Sequence, residues 1–458
     1  MSVTGLHWHD AAFAVASDGS LLSSAPSVVH ADPAQPARLG QPALDVARLS
    51  PRAVSAEHWA AVARDGAAVA PAHVGVARAE LAQRLDASHR ATPLQCAVSA
   101  NFDDALGTLL ALAQLEGLRV GGLHDSAALA VAAAGVSSTT LVLELGLAHF
   151  AVTRVECLDG EARRREAVVR RGAGLLALQQ KWLRMIADAM VLATRFDPLH
   201  DGSSEQRLFD ALEAAAARAA ATGSCVIELP AAGELARLEL GRDRFIEAAA
   251  DLLRGVVSAV HELRPAGQRV NILFDESLLR WPGLLEKLAE LRGCRLLTHA
   301  QGLIARAASL ASGEADAAGA VTVQRGHSLA AVLEPAREVD LGDRGVPVTL
   351  APTHALWEGR AFALPTRGAL EIGRSALEGG IRLAEGLTGV SRLHCSLRAE
   401  AGQVTLVPHS AQPTWLNDER VRERVRVLSG DRLRLGSPGV VIELIAVGGV
   451  PDGASPQR

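Results

Sequence analysis

A phosphate dianion is held best by a planar guanidinium and short hydroxyl donors that converge from rigid loops, because charge-assisted hydrogen bonds are stronger than neutral ones. Such donors lie close together near the C-terminal end of this chain. Arg374 follows Gly373, and a short run further on reads Ser391-Arg392-Leu393-His394. A third run carries Ser410, Gln412, Thr414, Leu416 and Asn417, whose hydroxyls and amides can both donate and accept. At the other end His7, His9 and Asp10 could act as metal ligands or as a base. No partner set at metal-ligand spacing follows them in the sequence, so a loop-packing role is expected there and no metal is assigned. The five cysteines, Cys96, Cys157, Cys225, Cys294 and Cys395, are widely separated and form no CxxC pair, which predicts reduced, buried thiols.

These groups need elements to hold them. Over 361–364, 369–372, 396–399, 404–407, 424–427, 431–435 and 440–446 short apolar runs alternate with turn signals, a pattern that predicts a compact β-sandwich. Arg374 and Ser391 then fall in loops between its strands. Upstream, Asp18-Gly19 marks a hairpin turn within 12–29. A strand over 93–101, a helix over 105–115, a strand over 118–122 and a helix over 126–134 signal an α/β unit. Two strand-like runs over 139–156 meet around Gly146. Helices are predicted over 175–193 and 205–221, then a hairpin with arms 225–229 and 235–240, then a helix over 242–263. A buried strand over 269–274, a helix after Pro282 and a helix over 303–311 complete this part. The stretch 312–351 reads as a linker or small β appendage, and 449–458 as a disordered tail.

The segment EIGRSALEGGIRLAEGLTGVSRLHCSL, followed by SAQPTWLNDERV and LSGDRLRLG, resembles the forkhead-associated (FHA) domain along nearly all of that domain's length. The resemblance covers 352–448 and implies an all-β sandwich that binds a phosphothreonine-containing protein segment. It implies that Arg374 and Ser391 hold the phosphate, with Arg392 as a third contact, and that Gln412 and Asn417 serve the bound peptide. Gly373, His394 and Thr414 are implied to be structural, the histidine bracing the loop from inside. One departure stands out: Gln412-Pro413 occupies the place of the family's Asn-Gly, so the amide that grips the peptide backbone sits on a longer arm.

Residues 1–311 carry a weaker resemblance, distributed over six segments in order. APSVVHAD, CAVSANF, GLRVGGLHDSAALAVAAAG, LVLELGLAHFAV, ATGSCVIELP with RDRFIEAAADLL, and ILFDESLLRWPGLLEKL are together similar to the DnaK-type heat-shock chaperone ATPase, of the actin-like superfamily. This implies a two-lobed α/β fold whose nucleotide site is vestigial, its remnants being Asp125, Glu144, Gly146, Asp275 and Glu276. Nucleotide chemistry in that family needs glycines that let two hairpins approach the phosphates and aspartates that hold magnesium and its waters. Trp8 and His9 stand in the first loop, Leu147, Ala148 and His149 in the second, and Asp275-Glu276 in place of a Gly-Gly pair. No cofactor is therefore expected.

A formal net charge of -5 and a pI near 6.3 over 458 residues argue against a nucleic-acid partner. The basic cluster Arg163, Arg164, Arg165, Arg170 and Arg171 alternates with Glu161 and Glu166, as a solvated face or subunit contact does. No window offers the ~18 uninterrupted apolar residues needed to cross a bilayer, Ala-rich ones such as Ala127 to Val136 being too short, and the expected location is the cytoplasm. The sequence thus predicts a multidomain, non-enzymatic adaptor: an actin-like ATPase-type fold joined to an FHA reader, with a Ser/Thr kinase supplying its phosphorylated partners. The alternatives are a divergent chaperone-like ATPase targeted by its FHA domain, and an assembly subunit whose FHA domain does not depend on phosphate.

Overall fold

The computed structural model describes residues 3–445 except 33–36, 232–233, 266–267, 292, 313–320, 331, 340–351, 378, 401–402, 418 and 437–438. The chain divides into two compact units. The first comprises Met1–Val257, Asn271–Lys287 and Leu296–Val339; the second comprises Ser258–Val270, Leu288–Arg295 and Asp340–Arg458.

The first unit is built on two mixed sheets. In the six-stranded sheet, Thr4–Trp8 pairs antiparallel with Phe13–Ser17, which pairs antiparallel with Ser20–Ala25. On its other edge Thr4–Trp8 pairs parallel with Leu94–Val98, which pairs parallel with Val120–Asp125. The seven-stranded sheet repeats the plan. Thr140–Leu145, His149–Leu158 and Glu161–Arg171 form an antiparallel meander, and Val270–Asp275 runs parallel to the first of these strands.

Local chemistry explains much of this. Asp18 and Gly19 take φ of 47° and 79°, the conformation a two-residue type I′ hairpin turn demands. The helix Ser126–Ala133, reading SAALAVAA, is buried at every position, which side chains this small permit. Asp125 caps it by accepting from the Ala128 N–H at 2.9 Å. A Cβ on Gly5 would collide with the backbone of Ala305 and Ser309, so glycine is what lets the helix Leu303–Leu310 lie directly on the strand Thr4–Trp8. Leu6, Trp8, Phe13, Trp59, Leu81 and Phe102 share one core of this unit.

Several elements differ from the sequence reading. The helix expected over 242–263 breaks at Ala249 into Arg242–Ala248 and Ala250–Leu263. In the stretch expected as a linker or small β appendage, Val323–Gln324, Gly326–Ser328 and Arg337–Glu338 are outer strands of the two sheets of the first unit. The remainder of that stretch (313–320, 331 and 340–351) and the expected tail over 449–458 lie outside the described residues.

In the second unit two sheets enclose a core. One runs Arg360–Ala363, His354–Trp357, Val440–Ile445, Arg432–Leu435, Thr414–Leu416, Glu419–Val421; the other runs Ile381–Arg382, Gly368–Gly373, Cys395–Glu400, Gln403–Pro408, Val425–Val427. Leu370, Ile372, Leu397 and Leu406 from one sheet meet Leu416, Leu433, Ile442 and Leu444 from the other. Arg264 and Asp431 also meet in this unit, at 3.5 Å with both side chains fully buried.

Candidate functional site

The strand Gly368–Gly373 ends in a turn that opens with Arg374, and the loop 391–394 leads into the strand Cys395–Glu400. Backbone hydrogen bonds sew the two together: Arg374 N to Ser391 O at 3.1 Å, Ser375 N to Arg392 O at 2.8 Å and His394 N to Ile372 O at 2.9 Å. A Cβ at Gly373 would overlap the carbonyl of Arg392, so only glycine allows this approach. His394 is fully buried, and its Nδ1 accepts the Ser391 N–H at 3.2 Å. Burial lowers the pKa of this ring, which keeps the accepting nitrogen unprotonated.

A third loop closes on the second. The hydroxyls of Ser391 and Ser410 are 2.6 Å apart, and Ser410 Oγ accepts the Gln412 N–H at 2.9 Å. Arg374 donates from Nη1 only to the Glu385 carbonyl, at 3.3 Å, while its Nε is buried with no hydrogen-bond partner among the described residues. A guanidinium left largely unused, on a turn tied to the loop of a tethered serine hydroxyl, has the chemistry a dianion needs. Residues 370–436 match the family model of the FHA domain. The chain carries an FHA domain. Binding of phosphothreonine-containing protein segments is what that domain implies. No curated protein matches the chain.

Within the FHA domain the expected site residues separate into two groups. Arg374, Ser391, Arg392 and Gln412 stand on the three joined loops, with Arg392 and Gln412 exposed. Asn417, expected to serve the peptide, is 2% exposed, donates to Asp431 Oδ1 at 2.9 Å and accepts the Arg432 N–H at 2.9 Å, which ties its amide into the sandwich interior. Thr414 is 1% exposed and faces the same interior. Ser410 was visible in the sequence as part of a motif, but its link to Ser391 depends on two loops meeting in space.

The residues proposed as nucleotide-site remnants are also divided. A cavity of about 250 Å³ in the first unit is lined by His7, His9, Glu144, Leu147, Asp275 and His299, among others. Asp125 and Glu276 are not among its lining residues. Asp125 accepts from Arg164 Nη1 at 2.9 Å as well as from the Ala128 N–H, so both of its oxygens are engaged. Burial raises its pKa to about 6 against the opposing pull of Arg164. Glu276 lies on the surface, 3.7 Å from Arg337. Gly146 sits in the second hairpin turn, where a Cβ would strike Asp10 and His149.

Proposed function

We propose that this chain is a non-enzymatic adaptor that reads phosphothreonine through its FHA domain and presents a second protein-binding surface on its N-terminal unit. The observation that carries the reading is the unpartnered Arg374 Nε on a turn whose backbone is hydrogen-bonded to the Ser391 loop, which is joined in turn to Ser410. A positioned guanidinium with buried, unmet hydrogen-bonding capacity costs stability unless an anion arrives to use it. Partners of this kind are products of a Ser/Thr kinase. No helix among the described residues is long and apolar enough to cross a membrane, and all five cysteines are free, which supports placement in a reducing cytoplasm.

For the N-terminal unit we propose an actin-like fold that has lost its nucleotide chemistry. The repeated strand plan of its two sheets supports the ancestry, since that plan places two hairpin turns, 9–12 and 146–148, in equivalent positions. The lining of the cavity beside them supports the loss: it includes the carboxylates of Glu144 and Asp275. Those carboxylates repel a polyanion. The test of the reading is fluorescence anisotropy with the full chain and paired peptides that differ only in a threonine phosphate. Tight binding of the phosphorylated member alone is expected. Equal binding of both members would leave the FHA domain as a packing module.

A further inference from the structure

The two hairpin turns of the first unit bring together side chains that are far apart in sequence. We infer that His9, Asp10 and His149 form a binding site for one divalent transition-metal ion, of the class that includes zinc. Each residue offers a ligand atom, and these atoms all lie within 4.8 Å of one another. The three are 7%, 2% and 1% exposed. Asp10 Oδ2, His9 Nε2 and both ring nitrogens of His149 have no hydrogen-bond partner among the described residues. Four unmet polar atoms in so small a buried volume are costly without a ligand, and a cation answers all three side chains at once.

The surroundings are arranged as a ligand set needs. The Leu147 N–H donates to Asp10 Oδ1 at 2.9 Å, which ties one turn to the other and turns Oδ2 toward His149 Nδ1, 3.6 Å away. This is the outer hydrogen bond that orients a ligating carboxylate. His7 stacks on His9 with ring centroids 5.1 Å apart, and its Nε2 lies 3.7 Å from Glu144 Oε1, which adds a second buried carboxylate nearby.

Two imidazoles and one carboxylate match zinc and iron(II) better than magnesium or calcium, which prefer all-oxygen sets, and better than copper(I), which prefers sulfur. Three protein ligands leave coordination positions open. His9 lines the cavity described above, and His149 lines a second cavity of about 450 Å³, so an ion has routes of entry. The sequence concealed this site because His149 lies on a strand beyond the second turn, far from His9 and Asp10 in the chain.

The inference does not depend on phosphopeptide binding. Untagged full-length protein, stripped with EDTA, is titrated with Co²⁺ while its visible absorption is followed, and with Zn²⁺ in a calorimeter. One equivalent is expected to bind with micromolar or tighter affinity, with cobalt bands of four- or five-coordinate nitrogen and oxygen ligation and a rise in Tm. Asp10→Asn keeps the acceptor for Leu147 and should weaken zinc at least tenfold; His149→Gln should do the same. Circular dichroism of the metal-free variants confirms that they fold, and the wild-type stoichiometry and cobalt spectrum stand as evidence if either does not. Absence of any cobalt band in folded wild-type protein at millimolar Co²⁺, or zinc affinity unchanged in both folded variants, would overturn the inference.

Discussion

The FHA residues act by two different means, and mutation should separate them. Arg374→Ala removes a guanidinium whose charge-assisted bonds contribute roughly 1.5–3 kcal/mol each, so phosphopeptide affinity should fall about ten- to a hundredfold in anisotropy titrations. The melting temperature should hardly change, because Arg374 makes one long contact to the Glu385 carbonyl. Ser391→Ala should cost less affinity. Asn417→Ala should do the reverse of Arg374→Ala. It leaves Asp431 Oδ1 and the Arg432 N–H without the amide they use, in a site 2% exposed, and should lower unfolding free energy by about 1–3 kcal/mol by urea denaturation. A clear loss of peptide affinity from Asn417→Ala without loss of stability would return that residue to the binding face.

At the scale of the elements, close approaches and buried imidazoles decide the outcome. Gly373→Ala should force the turn after Gly368–Gly373 away from the loop 391–394, since the new methyl overlaps the Arg392 carbonyl. Both Tm and phosphopeptide affinity should drop together, an effect no surface alanine shares. The strand Val120–Asp125 carries a second sensitivity. His124 is fully buried, hydrogen-bonds Gln95 Oε1 at 2.9 Å and lies 5.3 Å, ring to ring, from His327. Burial, and then His327, lower its pKa to about 4. The unfolded chain takes up this proton below its ordinary value near 6.5, and the folded chain does not until about 4. The contribution is therefore fully present above pH 6.5 and is lost as pH falls through that window, on the order of 3 kcal/mol for this group. Urea midpoints measured from pH 7 to pH 4 should fall accordingly, and His124→Gln should flatten that part of the profile. An unchanged profile would mean that the ring is protonated in the fold.

For the whole molecule, the sandwich core among the described residues is drawn from the stretch between Ala355 and Leu444. A fragment covering 352–448 should therefore fold, with dispersed NMR signals. It should melt below the full chain, because it lacks Arg264, the buried cation beside Asp431. Equal melting temperatures would show that Arg264 contributes nothing net. The proposed loss of nucleotide chemistry is checked on the same scale: millimolar Mg-ATP should leave the Tm of the full chain unmoved, since a ligand that binds only the native state raises it with concentration. A concentration-dependent rise, abolished by Glu144→Gln, would favour the ATPase alternative.

What the sequence determined by itself is local. The Asp18-Gly19 turn, most of the sandwich strands between 360 and 445 and the buried alanine helix after Asp125 were legible, because turn dihedrals and apolar periodicity are written within a few residues; Ile381–Arg382, Thr414–Leu416 and Glu419–Val421, two or three residues each, were too short to show a period. The loops bearing Arg374 and Ser391 were legible for the same reason, as a motif carried on adjacent strands. Tertiary structure decided whatever depended on which distant groups meet. The bonds of the Asn417 amide to Asp431 and Arg432 are of this kind. So is the engagement of Asp125 by Arg164, 39 residues away. Segments 258–270 and 288–295 joined the C-terminal unit by packing, which no composition boundary marks. His149 came to lie beside His9 and Asp10 only because two hairpin turns converge, and long-range proximity of that kind leaves no trace in spacing along the chain.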